Sequence, residues 1–382
     1  MLARCELSKQ TSTPEMNTTQ RGLLMQRWTV IQHELMPELK SEIGSLTPKL
    51  EKLIHVLEWT RIETFVDWGW SGIGRPPHDR GALANAFVAK AVLGLTQTSA
   101  LIERLSMDRA LRRICGFGEW KALPDEATFS RAFAEFAKMK LAARVHEVLV
   151  KEHLCETLIG HISRDGTAIE AREEPLRKPK EVVAIKPARR GRPKKGEVRE
   201  AKTSKVERQL TQTLPQMLAE LPQVCDRGSK CNAQGYKNSW NGYKLHIDTA
   251  DCGVPISALL TSASVHDSLT AIPLGLMTAD RVTNCYDLMD AAYCSEAIRM
   301  HSRSLGHVPL IDHNPRGGEK KPFAPHEKMR YKERTQAERS NARLKDEFGG
   351  NHIWVRGPVK VMSHLMFGLL VLTVDQLMRL LI

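Results

Sequence analysis

Apolar residues recur at intervals of three and four through most of the first 155 positions, the period of helices that bury one face. The stretches "QRWTVIQHELMPELK", "KLEKLIHVLEWTRIETFVDW", "RGALANAFVAKAVLGL", "SALIERLSMDRALRRICGF" and "TFSRAFAEFAKMKLAARVHEVLVKEHL" all carry it. Breaks fall at "SGIGRPPHDRG" and at "KALPDEAT", where Pro and Gly interrupt the pattern and Pro-Asp-Glu-Ala opens the next helix. Residues 22–155 are therefore expected to form an all-α N-terminal domain behind a flexible segment 1–21. Within it "TSALIERLSMDRALRRICGF" suits either a groove-entering helix-turn-helix or plain helix packing.

Beyond residue 155 the period shortens to two. "LIGHISRDGTAIEA" alternates around Asp165, and "GYKLHIDTA" alternates Tyr243, Leu245 and Ile247 against Lys244, His246 and Asp248. "PISALLTSA" follows a "DCG" turn, which makes the last two a hairpin. A helix at 268–279, a strand "VTNCYDLMD", a helix "SEAIRMHSRSL" and a strand "HVPLIDH" come next, then two further helices. Strands followed by alternating helices and strands predict an α/β domain over 156–382 with a mixed sheet flanked by helices.

A long insertion at about 172–235 separates the first strand from the hairpin. From Ala171 to Lys205 it holds 13 Lys and Arg against five Glu, a net +8 out of +12 for the whole chain. Rich in Pro and Gly, it is expected to be mobile in isolation. Such a surplus suits a polyanion, and nucleic acid is the commonest. Within "RRGRPKKG", Arg190 and Arg192 have the look of a minor-groove hook, the alternative being a linker that meets phosphates.

The eight cysteines form no C-x-x-C pair and read as reduced thiols of a cytoplasmic protein. Cys225 and Cys231 with His246 fit no usual zinc spacing. The polar N-terminus has no signal-peptide core. "HLMFGLLVLTVDQLMRLLI" has only Leu365–Val374 free of ionisable residues before Asp375, Gln376 and Arg379, so a buried terminal helix is expected, with no membrane partner.

At about 100° per residue, Tyr331, Arg334 and Lys345 fall within about 40° of Glu338 on one helix stripe. Ala337, Leu344 and Phe348 form a second, apolar stripe, and Gly349-Gly350 stops the helix. A solvated face with weak ion pairs would explain the charges alone. Two strand acids change the picture. Asp165 lies within the first strand and Asp290 closes "YDLMD", in each case among apolar neighbours where an unpaired carboxylate is expensive. Taken singly, Asp165 suits a turn and Asp290 a helix cap. Together with Glu338 they form a minimal oxygen set for two magnesium or manganese ions that promote phosphodiester cleavage. Asp287 competes with Asp290, and strand alternation puts the two on opposite faces.

"RDGT", "MDAAY" and Y-x2-R-x3-E-x6-K at Tyr331, Arg334, Glu338 and Lys345 resemble the catalytic blocks of the DDE transposases of bacterial insertion sequences, in the branch with the Tyr-Arg-Glu-Lys signature. "GRPPHDRGALANAFVAKAVLGL" and "LRRICGFGEWKALPDEATFSRAF" resemble that family's helical leader. The resemblance implies an RNase H-like core in which Asp165, Asp290 and Glu338 are catalytic and bind two metal ions. Arg334 and Lys345 would contact DNA phosphates, and Tyr331 would help position the strand. It also implies terminal inverted repeats and target DNA as partners, a homo-oligomeric synaptic complex, and a nucleoid-associated location. "VHDS" at 265–268 is similar to the family too, with Asp267 or Ser268 expected to cap the following helix. A structure-specific nuclease on the same fold and a catalytically vestigial DNA-binding regulator are the alternatives.

Overall fold

The computed structural model describes residues 22, 25, 26, 28–66, 77–118, 122–176, 203–231, 234–315 and 318–380. The segment 1–21 and the arginines Arg190 and Arg192 lie outside the described residues.

The N-terminal part is all helical among the described residues. A π segment (Ile31–Leu35) leads into α1 (Met36–Ile43), followed by α2 (Pro48–Thr60), α3 (Arg80–Val92), α4 (Thr98–Met107), α5 (Arg109–Cys115), α6 (Glu126–Lys138) and α7 (Leu141–Leu154). Three of these helices start where an aspartate satisfies a first-turn amide: Asp79 accepts from Ala82, Asp108 from Leu111 and Asp125 from Thr128. The Pro-Asp-Glu-Ala signal thus works through the Asp125 carboxylate.

A six-stranded sheet follows. Its strands are β1 (Leu158–Glu170), β2 (Asp226–Cys231), β3 (Lys237–Ala250), β4 (Pro255–Ser262), β5 (Thr283–Met289) and β6 (Val308–Ile311). β1 is central, antiparallel to β3 and parallel to β5, which in turn is parallel to β6. β4 ends opposite Tyr243 and β2 begins opposite Gly242, so both pair with β3 in succession. The helices of this half are α8 (Lys205–Gln209), α9 (Leu214–Glu220), α10 (Ala271–Ala279), α11 (Glu296–Ser304), α12 (Pro325–Tyr331), α13 (Thr335–Glu347) and α14 (Pro358–Arg379). This mixed sheet flanked by helices is the expected RNase H-like architecture. β2, α8 and α9 come from the segment read as an irregular insertion and were not anticipated.

The period-two alternation of β1 sends Ser163 and Asp165 to one face and Arg164 to the other. On the first face Ser163 donates to the Glu333 carbonyl (3.1 Å), which ties the approach to α13 onto β1. On the second, Arg164 reaches Asp248 of β3, whose carboxylate also accepts from Thr278 of α10.

α14 is long and apolar enough to cross a membrane, yet it is mostly buried inside the protein. Leu369, Leu370, Val371 and Leu372 are fully enclosed, and each such aliphatic side chain is worth about 1.5–3 kcal/mol of burial. Phe367 packs on Phe87 and Phe133 of the leader helices. His146 of α7, held neutral by burial with its pKa down to about 3, bonds both the Pro255 carbonyl and Thr373. One hydrophobic core therefore runs from the leader helices through α14 to the sheet.

Candidate active site

The β1–β5 register ends with Arg164 beside Met289, so Asp165 and Asp290 are the next residues along the two adjacent parallel chains. Asp290 is the first residue past β5, and its side chain accepts from the Ala292 amide at 2.9 Å, capping a short 3-10 turn. Glu338 lies in the first turn of α13, above β1. Arg334 joins the set. Its guanidinium donates to Glu338 at 2.5 Å and stands 3.7 Å from the Asp165 carboxylate. Burial works against this charge, but the neighbouring carboxylates of Asp165, Glu338 and Asp290 hold the arginine's pKa above its ordinary value.

Asp165 is largely enclosed. Burial pushes its carboxyl up to about 6; Arg334 and Lys230 pull against the rise, and Asp290 adds to it. Asn341, one turn beyond Glu338, donates to its second oxygen at 3.0 Å. Sequence reasoning missed Asn341. The available signal was an amide at i+3 from Glu338, between the acidic stripe and the buried Ala337 and Leu344.

The helix expected to carry the whole stripe is tightened. α12 ends at Tyr331, a 3-10 turn spans Lys332–Arg334, and α13 starts at Thr335. The tightening departs from the 100° spacing. The Tyr331 hydroxyl donates to the Met289 carbonyl at 3.1 Å, next to Asp290, and burial raises its pKa to about 12. Its ring lies against Phe323. Lys345 is half-buried near Glu170, Lys230 and Asp165, with burial lowering its pKa.

Asp287 is engaged elsewhere. It is buried with Ser302, His307 (3.2 Å) and Asn284 (3.0 Å). Burial alone would raise its pKa, but His307, Arg164 and Ser302 together hold it below the usual carboxylate range. The expected cap at 267–268 is corrected. His266 caps, its ring accepting from the Ser268 amide, while Asp267 pairs with Lys244 at 2.9 Å.

Among the described residues, no three His, Cys, Asp or Glu side chains stand together as a ready metal cage. The guanidinium of Arg334 stands among the acids and supplies the positive charge. The donor set itself suits hard, oxygen-seeking divalent ions: carboxylates on adjacent chains, a third across one guanidinium, and one carboxylate held by an amide.

The raised pKa of Asp165 has a consequence for the metal-free protein. The fold favours the neutral form, so the contribution of this group is full below about pH 4 and is lost as pH rises through about 6. Asp165→Asn should therefore raise the melting temperature at pH 8, by an amount that shrinks between about pH 6 and 4 and vanishes in more acid solution. Thermal melts of both proteins across that range measure it. An equal gap at all pH values would contradict the assignment.

Two family models match the chain. One, described as a transposase DDE domain, covers residues 161–374, and another, described as a transposase domain (DUF772), covers residues 38–135. No curated protein and no solved structure matches.

Proposed function

The chain belongs to the DDE transposase family and is a DNA transposase, and on that premise we propose that Asp165, Asp290 and Glu338 are its catalytic carboxylates. The membership decides against the nuclease and regulator readings. One observation carries the assignment of residues: a single guanidinium, that of Arg334, meets both Asp165 and Glu338, while Asp290 follows in register beside Asp165.

The three acids would hold two divalent ions, Mg2+ or Mn2+, which when bound supply activation of the attacking oxygen and stabilisation of the leaving one. Asn341 fixes the orientation of Asp165. Tyr331 pins the start of the helical run to the end of β5 and so sets the spacing between Asp290 and Glu338. Arg334 and Lys345 bind backbone phosphates of the strand to be cut, Arg334 exchanging its contact with Glu338 for a phosphate oxygen of like charge. The same groups would serve hydrolysis at the element's end and the later attack of the freed 3′-hydroxyl on target DNA.

The Y-x2-R-x3-E-x6-K spacing supports the Tyr-Arg-Glu-Lys branch. In the proposed division, residues 22–155 are a leader domain that contacts DNA, and 156–382 are the catalytic domain with its basic insertion at about 172–235. The substrates are duplexes bearing terminal inverted repeats, held in a homo-oligomeric synaptic complex in the nucleoid. Purified protein with magnesium and a duplex carrying the ends of its own element should both cut and join. Cutting with no joined product would overturn the strand-transfer half of the proposal.

A further inference from the structure

Among the described residues β4 pairs only with β3, and its outer edge is used only at the ends. In an antiparallel ladder the amide and carbonyl of one residue face the partner strand, and those of the next face away. The Ser262 amide points outward, donating to the Pro222 carbonyl at 2.8 Å, and Arg281 donates to the Ile256 carbonyl at 2.6 Å. Ala258 and Leu260 lie an even number of residues before Ser262, opposite Ile247 and Leu245, so their amides and carbonyls also turn away from β3. Among the described residues none of these four groups has a hydrogen-bond partner. Such open rungs are a template for pairing with another chain.

The open rungs border a cleft of about 350 Å³ that none of the three catalytic acids lines. Leu259 clusters with Leu218 of α9 and Met277 of α10, whereas Ala258 and Leu260 cluster with Met362 and Met366 of α14. The cleft therefore has an apolar wall on each face of the sheet, which is what the alternating side chains of an added strand require. Its three methionines can fit apolar groups of varied shape. Ser363, which lies on the α14 wall, is buried with a hydroxyl that has no hydrogen-bond partner. Lys140 and Arg144 complete the lining, both exposed and, among the described residues, without an ion pair. The carboxylate of Glu147 is already shared by Arg281 and Lys151. Its free charge is thus positive.

We propose that the outer edge of β4 is a docking site for an extended segment of a partner protein, apolar at alternate positions and acidic at one end. The segment adds a strand to the sheet, its backbone pairing with Ala258 and Leu260, its apolar side chains entering the two walls and its carboxylate meeting Lys140 and Arg144. Main-chain pairing supplies the affinity and the walls supply the choice of sequence. The open stretch spans three residues, about 10 Å, so the contact is short and reversible. It is a protein-recognition function separate from the chemistry at Asp165.

The test pans a random decapeptide library displayed on phage against the full chain. Enriched sequences should carry apolar residues at every second position and Asp or Glu at one end. A synthetic enriched peptide should lose about tenfold in affinity when one alternate set of its amides is N-methylated, and less than about twofold when the other set is, because one set alone faces β4. Arg144→Glu should weaken the same peptide about fivefold, an effect that fades at high salt. In the peptide-free protein the amides of Ala258 and Leu260 should exchange with solvent at least about tenfold faster than those of Leu259 and Thr261, which face β3, and saturating peptide should remove the difference. No enrichment, or equal losses from both methylated sets, would overturn the proposal. So would Ala258 and Leu260 amides already protected without peptide. Protection independent of protein concentration would assign the edge to a segment of the same chain, and protection that grows with concentration would assign it to a second copy. None of these readouts involves cleavage, so an error in the carboxylate assignment would leave them unmoved.

Discussion

Glu338→Gln, Asp165→Asn and Asp290→Asn are each expected to slow end cleavage and strand transfer by about 10³-fold or more, with affinity for the end duplex kept within about threefold. Each change removes one negative charge and nearly no volume. The loss therefore reports charge at the reacting phosphate, and groups that act as a unit lose most of their effect when any member goes. A triple variant should accordingly be little slower than the worst single one. DNA affinity survives because the phosphate-binding cations remain, and in Glu338→Gln the guanidinium of Arg334 is released from its strongest partner. Asp287→Asn supplies the control. Its carboxylate is occupied by Ser302, His307 and Asn284, so its replacement should cost stability and spare the chemistry. Rates of cleavage measured with magnesium under single-turnover conditions decide the matter, and near-normal cleavage by Glu338→Gln would sink the assignment.

The elements that bury a regular face were legible in the sequence, because their period is imposed by the core they meet. β1, the β3–β4 hairpin, β5 and α14 all follow from alternation or from three-and-four spacing. β2 was not legible. Its sequence, "DRGSKC", is mostly exposed and pairs with a stretch of β3 that is itself largely in solvent, so no apolar alternation marks it. α8 and α9 are too short for a period to emerge, and they are anchored by single residues such as Val206 and Met217. The 3-10 turn at Lys332–Arg334 was invisible for a different reason. It is set by tertiary contacts, the Tyr331 hydroxyl on Met289 and Ser163 on the Glu333 carbonyl, that local propensity does not encode. In the site, acids on apolar strands stood out because burial makes them costly. Asn341, Lys230 and the His266 cap are ordinary surface-type residues whose meaning appears only once a partner arrives from elsewhere in the chain.

Behind the catalytic face, Asp248→Ala should destabilise the protein by roughly 3–5 kcal/mol, the largest effect on folding expected from one substitution here. Arg164 and Asp248 are both buried, joined by two hydrogen bonds of 2.7 and 2.6 Å, and Thr278 donates to the same carboxylate. Burial alone would lower the pKa of Arg164, but Asp248 outweighs it and holds the guanidinium charged. Remove the carboxylate and that charge stays inside, facing the more distant Asp287 and the Met289 sulfur. The cost comes from this stranded cation more than from the lost pair. Replacing both partners with apolar residues, Arg164→Met with Asp248→Leu, should for that reason recover much of the stability, since the pair itself contributes little beyond its own desolvation. Denaturant unfolding of the two variants measures the difference. A loss below about 1 kcal/mol for Asp248→Ala would mean that the stranded charge finds water or another partner. The effect should reach the chemistry as well. Arg164 precedes Asp165 and pairs in register with Met289, the residue before Asp290. Anchoring Arg164 from the opposite face of the sheet holds the two strand acids side by side, so Asp248→Ala is also expected to lose cleavage activity at temperatures where it is still folded.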